Sequence, residues 1–178
     1  MNSDCVDVMI DLETLGKTPG CTILSIGATT FGTPDQDREK FYEKISTAKS
    51  YGLTVSSETV AWWHQQDPVA RKEAFSGTKY LPDVLYEFSD YLGKLGKPPR
   101  VWGNSAAFDI SILGAAYEIC CIPVPWKYYD VMCYRTLKNL ISVPAPVQNT
   151  QLHNALADAI YQAAHAEVIL EKLKCQSD

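Results

Sequence analysis

Two strongly apolar strands near the amino-terminal end constrain this chain more than any other feature. Residues 6–12 (V-D-V-M-I-D-L) become apolar on both faces towards their end, and a strand of that kind belongs in the middle of a sheet with both faces covered. Residues 22–31 (T-I-L-S-I-G-A-T-T-F) are equally apolar and follow a turn-rich stretch at 16–20. After the turn residues Pro34 and Asp35, residues 40–45 (K-F-Y-E-K-I) alternate as a third strand, so the three read as an antiparallel meander. Such a sheet needs helices downstream to cover it.

Those helices are legible. Ser56 is a cap for a short helix ending near Asp67-Pro68, and a second runs over 68–75. Leu81, Leu85, Phe88, Leu92 and Leu95 step by alternating fours and threes, one unbroken stripe on a helix that Pro82 can start. Residues 100–103 read as a short strand, and Ile112, Leu113, Ala116, Tyr117 and Cys120 as the inward face of the next helix, ended by Pro123 and Pro125. Residues 128–130 are expected to form a fifth strand with a helix over 131–141, and 142–151, with two prolines and no apolar period, a loop. Leu156, Ile160, Ala164 and Val168 at four-residue steps give the last helix its expected inward face. Strands first, then helices alternating with strands, predict an α/β fold: a mixed sheet of about five strands flanked by helices.

Composition sets the class. At 178 residues, 46% hydrophobic and 21% charged, the chain has the size and balance of one globular domain, taken as residues 1–178. No run of 18 apolar residues exists, and residues 1–7 carry Asp4 and Asp7 without a basic region leading into an apolar stretch. The expectation is therefore no membrane span, no secretory signal and a cytoplasmic protein. Six cysteines without C-x2-C spacing suggest reduced thiols and not a zinc site. The net charge of −5 is the wrong sign for coating long nucleic acid by counterion release, but two divalent cations held by clustered acids would neutralise most of it.

Three acidic motifs punctuate the chain. Asp11 and Glu13, two residues apart on a strand end, point to the same side of the sheet and repel each other unless solvent or a cation intervenes. Asp109 closes N-S-A-A-F-D at the entry of a helix, where a carboxylate also serves the helix dipole. His153 and Asp158 form H-x4-D, with the imidazole just outside the last helix, the acid in its first turn and Asn154 as a plausible cap. Each motif alone has an ordinary structural explanation.

In this order, D-x-E, N-x3-F-D and H-x4-D resemble the three exonuclease motifs of the DEDDh family, and D-L-E-T-L-G, V-W-G-N-S-A-A-F-D, Y-R-T-L-K and H-N-A-L-A-D-A-I all contribute to a likeness running from Val8 to about Ala166. They look most like a branch that includes phage-encoded DNA exonucleases and a bacterial exoribonuclease. The resemblance implies an RNase H-like fold and release of nucleoside 5′-monophosphates from 3′ ends of single-stranded nucleic acid, with DNA slightly favoured over RNA. Asp11, Glu13, Asp109 and Asp158 would hold two Mg²⁺ or Mn²⁺ ions, and His153 would be the general base, a role that an ordinary imidazole pKa of about 6.5 suits. Thr14 and Leu15 would contact the terminal sugar and base, although many family members read T-G-L where this chain has Thr14-Leu15-Gly16. Asn104 and Phe108, in the middle motif, would also touch substrate. Trp62 and Trp63 diverge by about 100° on a helix and cannot both face the core, so either one is a candidate stacking platform, with Trp63 taken as the substrate contact. Lys127, Arg135 and Lys138 are candidate phosphate contacts. The resemblance also implies a homodimer, as in many family members. Two other readings stand beside it: an oligoribonuclease-like enzyme of short RNA, and a non-catalytic module of the same fold that binds nucleic acid ends.

Overall fold

The computed structural model describes residues 4–33, 37–146 and 153–175. The turn expected at Pro34 and Asp35, and the part of the expected loop over 147–151, lie outside the described residues. Strands β1 (Val6–Thr14), β2 (Ile23–Phe31) and β3 (Lys40–Lys44) form the antiparallel meander, and β4 (Pro99–Gly103) and β5 (Val131–Cys133) extend β1 on its other side in parallel. The order is β3-β2-β1-β4-β5, which makes β1 the central strand. The RNase H-like α/β expectation is met.

Alternation along β1 divides the molecule. Val8, Ile10 and Leu12 point into a core shared with α3 (Leu81–Lys94) and α4 (Asp109–Ile119), built on Leu81, Leu85, Phe88, Leu92, Ile112, Leu113 and Tyr117. Met9 points the other way, into a core with Trp102 of β4, Tyr134 and Leu137 of α5 (Tyr134–Leu140), and Ala159, Ala163, Ala166 and Ile169 of α6 (Ala155–Cys175). By the same alternation Asp7, Asp11 and Glu13 lie on the α6 side. Asp7 is neutralised there: it accepts from Arg100 Nε and Nη2, both at 2.6 Å, and from Trp102 Nε1 at 2.7 Å. Near α6, α1 (Ser57–Gln65) and α2 (Pro68–Ala74) bury Trp63 and Ala74 with Leu15 and Leu24.

Two expectations are corrected. Residues Tyr128–Asp130 form a turn of 3-10 helix, and the fifth strand lies three residues later, at Val131–Cys133, pairing Val131 with Val101. The face of α6 is also one position off the expected stripe. Its buried side is Ala155, Ala159, Ala163, Ala166 and Ile169, while Val168 is exposed. Close approach to the sheet is the reason. A Cβ on Gly27 of β2 would stand 2.2 Å from the backbone of Ala155 and Leu156, so only glycine below and alanines above allow the contact.

Candidate active site

The sheet hands its acids to one spot. Asp11 pairs across β1/β2 with Gly27, and Glu13 with Ser25, before a register shift ends the regular pairing at Thr14. Because the start of α6 rests on Gly27, its first turn lies beside these positions. Asn154 Oδ1 accepts from Ala157 N at 3.0 Å and fixes the helix start. Asp158, one turn in, then joins Asp11 and Glu13: oxygens of the three carboxylates lie within 4.8 Å of one another.

Asp109 approaches from the parallel side. Gly103 at the end of β4 is paired with Ile10, and a five-residue turn leads into α4. Asp109 Oδ2 accepts from Ser105 N at 3.2 Å and lies 3.0 Å from where a Cβ on Gly103 would stand. The three-carboxylate group does not include it, but its charge acts on both Asp11 and Glu13.

The electrostatics are those of acids short of a counter-charge. Burial first, then the charges of Asp158 and Asp109, push the Glu13 carboxyl up to about 8. Burial lifts Asp11 well above the usual range, helped by Asp109 and Glu13 and opposed by a hydrogen bond that Gln162 Nε2 donates to its Oδ1 at 2.7 Å. Asp109 is raised to about 6 by burial, restrained by backbone hydrogen bonds, that of Ser105 first. Burial also raises Asp158, against the pull of the nearby His153. Hard oxygen donors clustered this way fit a divalent cation such as Mg²⁺ or Mn²⁺.

Clefts flank the cluster. One, about 440 Å³, is lined by Glu13, Thr14, Thr59, Trp62 and Phe108; another, about 360 Å³, by Asp11, Asn104, Lys138, Asp158, Tyr161 and Gln162; a narrower one of about 210 Å³ includes Asn104, Phe108, Asp109 and Arg135. Thr14 is thus at the first cleft, its Oγ1 donating to Gly16 O at 2.7 Å. Leu15 is buried in the core beside Trp63. Trp63, taken as the substrate contact, is only 1% exposed, which puts both faces of its ring out of reach, and its Nε1 donates to Thr14 O at 3.0 Å. Trp62, 41% exposed, is the tryptophan at the cleft. His153 lies against both, with ring centroids 4.9 Å from Trp62 and 5.9 Å from Trp63. Lys127 lines none of these clefts and sits over the Tyr129 ring.

The model of the 3′-5′ exoribonuclease Rv2179c-like domain family matches residues 6–170, a span holding every acid of this site and His153. The chain belongs to that family. It is also 25% identical over 121 residues to the exodeoxyribonuclease of Enterobacteria phage T4, an alignment covering 60% of this chain and 53% of the phage protein, so the chain spans about half the length of that relative. For this exoribonuclease-like domain, sequence reasoning missed Gln162. The available signal was its spacing: four residues beyond Asp158, it stands one turn along on the same helix face. Thr59, buried at the first cleft, carried no comparable signal.

Proposed function

We propose that residues 1–178 form one 3′-5′ exonuclease domain that removes nucleoside 5′-monophosphates from the 3′ end of single-stranded nucleic acid with two Mg²⁺ or Mn²⁺ ions. The observation that carries this reading is the convergence of Asp11, Glu13 and Asp158, from opposite ends of the chain, into one buried oxygen-rich group. Asp109 completes the ligand set. Cations bound there would offset the charge gathering on the phosphate and favour ionisation of water. The remaining steps belong to the side chains. Trp62 and Phe108 stack the terminal base in the more apolar cleft, and Arg135 and Lys138 face the phosphates of the strand. His153 takes the proton of the attacking water on an imidazole nitrogen. A bond forms from that water's oxygen to phosphorus as the bond from phosphorus to the penultimate 3′ oxygen breaks. That oxygen leaves as a hydroxyl after protonation by solvent.

The family's description names RNA and the phage relative's names DNA. The wider match, over residues 6–170, favours RNA for this chain, and the phage likeness is what favours DNA. A homodimer and a cytoplasmic location belong to the same proposal; among the described residues no helix is long and apolar enough to cross a membrane. Digestion of 5′-labelled single-stranded RNA, single-stranded DNA and duplex, in Mn²⁺ and after exhaustive chelation, tests the reading. A ladder shortening from the 3′ end in Mn²⁺ alone is expected. No cleavage in Mn²⁺ overturns the function, and undiminished cleavage after chelation overturns the metal requirement. A length series of each substrate shows whether short RNA is preferred.

A further inference from the structure

Gln162 is 5% exposed and half satisfied. Its Nε2 donates to Asp11 Oδ1, and with Asp11 ionised, as a metal ligand must be, the carboxylate only accepts and the amide cannot be turned round. Its Oε1 is therefore fixed as a buried acceptor, and among the described residues nothing donates to it. Asn104 Oδ1 is likewise buried with no donor among the described residues, and both residues line the same cleft of about 360 Å³ beside Asp11 and Asp158. A buried acceptor left unpaired costs stability, so two of them in residues that line one cleft point to a donor that arrives with the substrate.

The chemistry of the strand narrows the donor. Ionised phosphates offer acceptors only. Base edges offer donors, but in patterns that change with sequence. A ribose 2′-hydroxyl is a donor that every ribonucleotide carries. Position narrows it further. With the terminal base in the Trp62 cleft and the scissile phosphate at the acids, the sugar bearing the leaving 3′ oxygen is assigned to the other cleft beside Asp11 and Asp158, which Gln162 and Asn104 line.

We propose that Gln162, through its free amide oxygen and with Asn104 beside it, accepts a hydrogen bond from the 2′-hydroxyl of the penultimate ribose and so makes the domain sensitive to the sugar on the leaving-group side of the scissile bond. This rests on the exonuclease reading above. It makes Gln162 a specificity-determining residue as well as a support for Asp11.

The test is single-turnover removal of the 3′ nucleotide in Mn²⁺ from four oligoribonucleotides: all-ribose, 2′-deoxy at the terminal position only, 2′-deoxy at the penultimate position only, and 2′-fluoro at the penultimate position, which keeps an acceptor but loses the donor. The wild-type protein should slow about tenfold on both penultimate substitutions and less on the terminal one. In Gln162→Met the absolute rate falls, but the ratio of all-ribose to penultimate-deoxy rates should drop towards one. A ratio that stays at the wild-type value would overturn the inference and leave Gln162 only as a support for Asp11. So would a wild-type protein that shortens all four oligonucleotides at one rate, a result that leaves the exonuclease reading standing. A protein that shortens none of them overturns both.

Discussion

The imidazole of His153 meets the indole of Trp62 edge to face, centroids 4.9 Å apart and planes at 83°. His153 makes this contact from a left-handed backbone conformation, φ 60°, which costs a non-glycine residue about 1 kcal/mol or more. Its surroundings must hold it there, and Trp62 is one of its two ring partners besides serving the cleft. Trp62→Ala should therefore lower kcat about tenfold as well as raise KM, whereas Trp62→Phe, which keeps a ring edge, should lose much less. Steady-state kinetics on a single-stranded 3′ end check this, and a change confined to KM would reduce Trp62 to a stacking surface.

Removing the imidazole itself acts on the chemical step. His153→Ala should lower turnover by roughly 10² to 10⁴ with little change in affinity for a 3′ end, measured by fluorescence anisotropy under non-turnover conditions. Parallel losses of rate and affinity would reassign His153 to substrate binding.

The acids predict how the metal-free protein responds to pH. A carboxyl raised on folding, like Glu13 at about 8 or Asp109 at about 6, binds its proton more tightly folded than unfolded. Stability is then greatest below the unfolded value near 4.5 and is lost as pH rises towards the folded one. In chelator, Tm should fall between pH 5 and about 8, and saturating Mn²⁺ should flatten that slope. Glu13→Gln should abolish turnover yet raise the metal-free Tm at pH 8. A lower Tm in that variant would show that the carboxylate stabilises the fold.

Gly27→Ala probes the contact that seats the last helix. The added methyl would have to displace the backbone of Ala155 and Leu156, so stability should drop by at least about 2 kcal/mol. Activity should fall further than the folded fraction, because the displaced helix carries Asp158. Urea denaturation beside kcat per folded molecule separates the two effects.

The sequence made strong patterns visible and concealed weak ones. The α3 stripe and the apolar strands were legible because leucine, isoleucine and phenylalanine at regular spacing have few alternatives to burial. The inward face of α6 was misplaced because alanines bury little area each, and the larger Leu156, Ile160 and Val168 draw attention to the wrong side. The order of Trp62 and Trp63 depends on the Nε1 bond to Thr14 O, which has no local signature. Asp11, Glu13, Asp109, His153 and Asp158 stood out through the spacing of their motifs. Gln162 did not, since its four-residue step from Asp158 gains meaning only once the strand beneath the helix is known to place Asp11 there.

The acids come from elements made at opposite times. Asp11 and Glu13 leave the ribosome among the first residues of this segment, whereas Asp158 waits for the helix that settles on Gly27. A nascent chain still lacking that helix lacks the third carboxylate of the group. The site is therefore complete only once the helix resting on Gly27 has brought its acid to the two that the first strand already holds.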